Sequence, residues 1–382
     1  MKIQTIVIIL SLFITGISFS QDGQDWKFVH PLPQSNGLGE IKALDANTWF
    51  TVGNNGTFMR TTNAGVNWYF NFNAGKITPV SATTGALSTT GAIDMRFFNS
   101  STGIVVGDKG YIGRTTNGGV TFDSVGYGLV ATNSRCWAVW FADANTGYIG
   151  AGSQTAFTSN ILKTTNGGLN WTNVYSSATG YIINIGGADA QTVMASWSNG
   201  TLVRTTNGGT NWTETTNGLF PFVYNISFLN STTGFAAGGS GKFARTTNAG
   251  VSWDTLTSPQ YDWSFYQVKP VSATELYLTG DPSFLYKSTN LGNTWTALPI
   301  NVPNVYPYLW YSIDKAGSTL IMSGDYGLVA KSIDGGTTWS SNNIQYNIQI
   351  MNDIQSLSGG KIWFAGRPSP TGQQIMYSSN SR

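Results

Sequence analysis

Arg204 to Trp212 reads RTTNGGTNW, and six near-copies of this nine-residue string recur along the chain. They are Arg60 to Trp68 (RTTNAGVNW), Arg114 to Phe122 (RTTNGGVTF), Lys163 to Trp171 (KTTNGGLNW), Arg245 to Trp253 (RTTNAGVSW), Lys287 to Trp295 (KSTNLGNTW) and Lys331 to Trp339 (KSIDGGTTW). Successive copies start 54, 49, 41, 41, 42 and 44 residues apart. A period of roughly 40 to 50 residues with β-type composition is that of a propeller blade, a four-stranded antiparallel sheet packed radially on its neighbours.

The flanks of each string repeat as well. Val223 to Phe228 alternates, Asn230 to Gly234 turns, Phe235 to Gly238 runs apolar, Lys242 to Arg245 returns, and Trp253 opens a final strand. Asp45 to Thr48 and Asp143 to Gly147 fill the first turn elsewhere; short Asx- and Gly-rich stretches between alternating runs are hairpin turns. The first strand recurs near Ile41, Ile93, Val139, Ile183, Ile226, Tyr266, Ile313 and Ile354, which counts eight repeats. The eighth ends at IMYSSNSR, Ile375 to Arg382, before any Trp strand, whereas Asp25 to Pro31 (DWKFVHP) resembles the stretch after a string. The expectation is an all-β, eight-bladed propeller over residues 21–382, closed by the N-terminal strand completing the last blade, with a seven-bladed ring and one repeat outside it as the alternative count.

Composition agrees with that architecture: 41% hydrophobic, 13% aromatic and 10% charged residues, with 46 Gly and 14 Trp in 382 residues. A formal charge of +2 is too small for a phosphate-tracking surface, so nucleic acid is not an expected partner. Lys2, the apolar run Ile6 to Phe19 and the small residues before Gln21 read as a secretory signal peptide over residues 1–20. That run is shorter than the roughly twenty residues a bilayer span needs. A secreted, periplasmic or cell-surface location, without a membrane span after cleavage, is therefore expected. The single Cys136 leaves no intramolecular disulfide.

The string resembles the Asp-box, the S-x-D-x-G-x-T-W hairpin of bacterial-neuraminidase-type repeats, and Ser332 to Trp339 is its nearest copy. The Asx side chain accepts backbone N–H bonds in the turn, Gly supplies positive φ, and the aromatic residue inserts between sheets. The structural set is Asn63, Trp68, Asn117, Phe122, Asn166, Trp171, Asn207, Trp212, Asn248, Trp253, Asn290, Trp295, Asp334 and Trp339. Six of its seven Asx residues are neutral Asn, so neither a metal nor another cofactor is expected. The longer pattern, seen in Gly107-Asp108-Lys109-Gly110 followed by Arg114 to Gly119, is similar to that of the photosystem II stability and assembly-factor propeller family and its secreted bacterial relatives. The resemblance implies a non-catalytic protein that holds other polypeptides during assembly. It also makes the string cations Arg60, Arg114, Lys163, Arg204, Arg245, Lys287 and Lys331 one suspected contact. Read from their position alone, those cations flank the hairpins and solvate them.

Asp-boxes also occur in sialidases and xyloglucan-type glycosidases, so catalytic groups have to be sought separately from the fold. A sialidase needs three Arg and a Glu-activated Tyr. Outside the strings the mature chain offers Arg96, Arg135, Arg367 and Arg382, with Glu only at positions 40, 214 and 275. Asp94, Asp262, Asp314 and Asp353 lie near first strands, and two of them would have to converge to hydrolyse a glycoside. His30 is the only His, so no Ser-His-Asp or Cys-His set assembles.

The connections between repeats are aromatic: Arg135-Cys136-Trp137, Phe220-Pro221-Phe222, Tyr261-Asp262-Trp263 and Tyr306-Pro307-Tyr308-Leu309-Trp310. Rings with polar edges suit sugar faces or peptide side chains. The candidate binding set is Arg96, Arg135, Trp137, Phe222, Tyr261, Asp262, Trp263, Tyr308 and Trp310. The residue-level alternative is that these rings fill gaps between blades. The insertion from Ala74 to Gly91 lengthens the second repeat and reads as a rim loop. A monomeric scaffold for a protein or cell-surface polysaccharide is the leading expectation, and a secreted glycan-binding or glycoside-hydrolysing propeller is the alternative.

Overall fold

The computed structural model describes residues 37–71, 74, 91–215, 220, 222–259, 262–281, 284–300, 309–324, 329–341, 349–357 and 361–367. Asn36–Asn343 forms one compact unit, and its strands make seven four-stranded antiparallel sheets, each paired in chain order. Blade 1 is Leu38–Ala43, Trp49–Gly53, Thr57–Thr61 and Tyr69–Asn71. The first, innermost strands of blades 2 to 7 are Ala92–Phe97, Arg135–Phe141, Ile182–Gly187, Val223–Phe228, Phe265–Ser272 and Trp310–Ala316. Each packs against the innermost strand of the next blade, and that of blade 7 packs against that of blade 1, so the ring is closed.

The second strand of each blade, from Trp49–Gly53 to Thr319–Gly324, is buried along its whole length, except that Glu275 at the start of the blade 6 strand is half-buried. That is why these segments read as unbroken apolar runs instead of alternating ones. Several end in a Gly for a steric reason. A Cβ at Gly107 would sit 2.0 Å from the carbonyl oxygen of Gly91, and one at Gly280 would sit 2.0 Å from that of Ser264. The backbone of the incoming innermost strand lies against the end of the second strand, and only hydrogen fits between them.

Faces of adjacent blades share cores. Ile104, Val106 and Ile112 of blade 2 pack with Cys136, Val139, Ile149 and Trp171 of blade 3. Phe50 of blade 1 stacks on Phe97 of blade 2 with centroids 3.8 Å apart. A fully buried aromatic or aliphatic side chain contributes roughly 1.5–3 kcal/mol, so stability is spread over every junction of the ring.

The expected four-stranded propeller blades are present, and the closed ring contains seven of them, the alternative count. The eighth repeat contributes Gln349–Leu357 and Lys361–Arg367, a two-stranded antiparallel sheet outside Asn36–Asn343. The ring needs no further strand because blade 7 bonds blade 1 directly: Ile41 N–H donates to Ser312 Oγ (3.2 Å) and Ala43 N–H to Asp314 Oδ2 (2.8 Å). The N-terminal strand Asp25 to Pro31, residues 1–20 and most of the 74–91 insertion lie outside the described residues.

Candidate functional site at the inner rim of the ring

The hairpin strings form from strictly local bonds. Thr205 Oγ1 donates to Asn207 Oδ1 (2.9 Å) and accepts the N–H groups of Asn207 (3.3 Å) and Gly209 (2.9 Å), while Asn207 Oδ1 accepts from Asn211 N–H (2.9 Å). Gly208 and Gly209 both have positive φ, 66° and 86°. In the one copy with an acid, Asp334 accepts from Ser332 Oγ, Thr337 N–H, Thr338 N–H and Thr338 Oγ1. The Thr338 bonds lead in holding its carboxyl down to about 2. The oxygens of these Asx residues are thus committed to their own turns.

The cation that opens each string reaches across to the next blade. Arg60 Nη1 donates to the carbonyl of Gly118 (3.0 Å), Arg114 Nε to Gly167 (3.1 Å) and Lys163 Nζ to Gly208 (2.6 Å). Arg204 Nε donates to Ala249 (2.9 Å), Arg245 Nη1 to Leu291 (3.1 Å) and Lys331 Nζ to Ala64 (2.9 Å). The acceptor is always the fifth residue of the following string, a residue with positive φ whose carbonyl is left over by the turn. Lys287 departs from the rule and pairs with Glu275 (3.4 Å). Sequence reading placed these cations beside their own hairpins; six of the seven instead join neighbouring blades.

The innermost strands share one register. Six carry a β-bulge near their first residues, between Leu38/Glu40, Ala92/Asp94, Ile182/Asn184, Val223/Asn225, Phe265/Gln267 and Trp310/Ser312. Blade 3 shifts at the equivalent place, opposite Gly150/Ala151, leaving Trp137 as the extra residue. The residue after the bulge is usually polar, and at five of the seven junctions its side chain accepts a backbone N–H of the next blade. Asp94 Oδ2 accepts from Val139 (2.8 Å), Asn184 Oδ1 from Ile226 (2.8 Å), Asn225 Oδ1 from Val268 (3.1 Å), Gln267 Oε1 from Ile313 (2.5 Å) and Ser312 Oγ from Ile41 (3.2 Å). Innermost strands are sheet edges, and this belt of acceptors satisfies the donors that an edge would leave open.

The bulged residues themselves are Gly39, Ile93, Trp137, Ile183, Tyr224, Tyr266 and Tyr311. A bulge re-aims its side chain, and here the rings meet from blade to blade. Phe222 lies 6.1 Å from Tyr224, Tyr224 5.6 Å from Tyr266, and Tyr266 5.3 Å from Tyr311. Tyr181, near Tyr224, lies 6.0 Å from Trp137, whose ring carries the Arg135 guanidinium at 5.0 Å. Aromatic side chains therefore form an arc over blades 3 to 7, with Gly39 and Ile93 at the remaining two. Tyr266 Oη donates to Asp281 Oδ2 (2.8 Å), and burial followed by this bond raises its phenol.

Further along the same strands lies a charged tier. Lys42 pairs with Glu40, and Lys269 with Asp314. Burial alone would lower the Lys42 ammonium, but Glu40, Asp314 and Asp94 outweigh it and the group is raised. Burial, then repulsion from Glu40, pushes the Asp94 carboxyl up to about 7. Asp314, equally enclosed, is held below the usual range because Lys269 and Lys42 overcome its desolvation. Asp94 and Asp314, two of the four carboxylates considered from sequence, thus both face Lys42. Asp262 is exposed in the connection before blade 6, and Asp353 belongs to the separate two-stranded sheet.

Of the other candidate residues, Trp137, Phe222 and Trp263 stand at the rim, with Phe222 44% and Trp263 46% exposed. Arg135 is exposed and bonded to Asp108 (2.8 Å). Trp310 is 1% exposed and lies in one core with Tyr277 and Leu285 of blade 6 and Met322 and Trp339 of its own blade, so its ring fills the space between blades. Arg96 is exposed near the far end of its strand; with Asp94 level with Val139, Arg96 and Arg135 are separated by about 20 Å of strand rise and do not form one anion site. Tyr261 and Tyr308 lie outside the described residues. Burial pushes the Cys136 thiol up to about 12. Sequence reading missed Tyr224, Tyr266 and Tyr311; aligning first strands on their polar residue would have put all three at one position.

The register and the repeated hairpins define a propeller type that can be compared with known ones. A model of the family described as photosynthesis system II assembly factor YCF48 matches residues 217–355. Residues 217–355 carry repeats of the YCF48 type. The structure titled YCF48 bound to D1 peptide is 21% identical, covers 78% of this chain and 93% of its own, and superimposes with a TM-score of 0.60. YCF48 from Cyanidioschyzon merolae is 17% identical over 80% of this chain and 97% of its own, with a TM-score of 0.56. The GH74 enzyme of Niastella koreensis is 18% identical over 91% of this chain and 59% of its own, with a TM-score of 0.66. At these identities the likeness is one of fold. No curated protein matches the chain.

Proposed function

We propose that the YCF48-like ring is a non-catalytic, exported scaffold that binds an extended segment of another polypeptide at its inner rim. The observation that carries this reading is the arc Phe222–Tyr224–Tyr266–Tyr311, held on strand bulges. Rigid aromatic side chains with polar tips give large contact area at low entropic cost, which is why they anchor protein interfaces. The repeat type adds support, because a structural neighbour is a YCF48 bound to a peptide. The string cations are less suited to the role, since six donate to neighbouring blades. Export rests on the apolar run Ile6 to Phe19.

The test is site-specific photocrosslinking in the native host. A benzophenone side chain at Phe222 or Trp263 should yield polypeptide adducts, whereas one at Tyr69, exposed on the outer strand of blade 1, should not. Absence of rim adducts would remove the reading. Cell fractionation places the mature chain, and retention in the cytoplasm would remove the export part.

Glycoside hydrolysis is the second reading, favoured by one specific feature: Asp94, pushed up to about 7, stands beside Glu40. It ranks lower because Asp94 Oδ1 and Oδ2 already accept N–H bonds from Met95 and Val139. Release of reducing sugar from xyloglucan, abolished by Asp94→Asn, would establish it.

A further inference from the structure

We infer that the rim takes its polypeptide as a polyproline II segment carrying a basic residue. The inference rests on the protein-binding reading above and narrows it to a ligand class. Strand addition, the commonest way to bind an extended chain to a sheet protein, requires a free row of backbone donors. On the innermost strands the donors of Ile41, Val139, Ile226, Val268 and Ile313 are occupied by side chains of the preceding blade. A bound segment has to be recognised through its side chains instead, and polyproline II has no ladder of its own to complete.

Ring geometry points the same way. Tyr224 and Tyr266 are tilted by 53°, and Tyr266 and Tyr311 by 57°. Such pairs make wedge-shaped clefts that accept a pyrrolidine or small aliphatic group, whereas the flat face of a sugar stacks on one open ring. The centroid spacings of 5.3 to 6.1 Å match the roughly 6 Å advance of every second polyproline II residue, at about 3.1 Å per residue. The Phe222 end of the arc is fixed by its own backbone. Phe222, a bulky residue at φ 56°, is held there by its N–H bond to Ser198 O (3.1 Å) and by Gly239 N–H donating to its carbonyl (3.0 Å). Left-handed backbone in such a residue costs free energy and persists at sites where a side chain must be aimed.

Charge supplies the rest. Asp281 uses Oδ2 for Tyr266, while its Oδ1 is buried and has no hydrogen-bond partner among the described residues. The carboxylate bonded to Tyr266 thus places a negative charge beside the middle cleft, complementary to a guanidinium or ammonium. Asp262 adds a second negative charge in the adjoining connection; Lys242 is the exposed cation of the neighbouring turn, and Arg135 is already paired with Asp108.

The test uses the full chain and fluorescence anisotropy with a labelled proline-rich peptide containing one central arginine, its glycine-serine counterpart with the same arginine, the proline-rich peptide with alanine in place of arginine, and a xyloglucan oligosaccharide as competitor. The proline-rich arginine peptide should bind, and Tyr266→Ala should weaken it about tenfold or more, the scale of truncating an anchoring ring. Asp281→Asn should abolish the preference for arginine over alanine, and Tyr266→Phe, which keeps the ring, should retain binding and so separate recognition from misfolding. Equal binding of the glycine-serine peptide would overturn the polyproline inference and leave the protein-binding reading standing. Absence of peptide binding would overturn the inference, and competition-competent binding of the oligosaccharide alone would overturn both.

Discussion

Lys331 Nζ donates a 2.9 Å hydrogen bond to the carbonyl of Ala64, a residue 267 positions earlier, and its ammonium lies 5.7 Å from the ring centroid of Trp49. The bond joins the last blade of the ring to the first, and it repeats a contact made at five other junctions. The consequence is a testable asymmetry. Lys331→Met keeps the stem over Trp49 but loses the charged donor, and should lower stability by about 1–2 kcal/mol. Lys287→Met, which loses a longer, half-buried 3.4 Å ion pair to Glu275, should cost less than about 1 kcal/mol. Urea unfolding of the two variants checks the order.

The hairpin strings give a second prediction. Thr205 is 1% exposed and its hydroxyl makes three bonds inside one turn. Thr205→Val preserves shape and strands those partners, so a loss of about 1–3 kcal/mol is expected. Asn207→Asp should be tolerated near neutral pH, because Asp334 already plays the part in the last string. A melt in which Asn207→Asp is the more damaging change would refute this account.

Asp94 makes stability depend on pH. Its folded-state carboxyl is raised to about 7 from an ordinary value near 4, so the protonated form favours folding. That contribution is complete below about pH 4 and is lost as pH rises through 7. Asn keeps the acceptor for Val139 without the charge, as Asn184 does for Ile226. Asp94→Asn should therefore match the parent at about pH 4, exceed it in stability at pH 8, and flatten the decline between them in denaturant titrations.

Gly107 and Gly280 should resist enlargement despite ordinary extended backbone at Gly107. A Cβ 2.0 Å from a carbonyl oxygen forces the incoming strand away, at a cost of about 1–3 kcal/mol or more. Gly128→Ala, with open space around its Cβ but positive φ, should cost about 1–2 kcal/mol. Thermal unfolding of the three alanine variants distinguishes steric from conformational demand.

The sequence alone determined the blades. Everything that shapes a string lies within nine residues: an Asx oxygen returning to backbone four positions on, a hydroxyl bridging two N–H groups, and two positive-φ residues. Local bonds of this kind leave a local pattern, so the repeat period, the hairpins and the buried second strands are all legible in the order of the amino acids. The candidate site was only partly legible: Phe222 and Trp263, chosen for their rings, lie exposed, while Trp310, chosen on the same grounds, packs between blades. What tertiary structure decided are the relations between repeats: seven blades in the closed ring, cations bonded to the next hairpin, acceptors capping the next innermost strand, and tyrosines brought into one arc. Each of these depends on which edge of a sheet faces the axis and which neighbour lies beside it. Ring closure sets both, and no interaction within a single repeat encodes them.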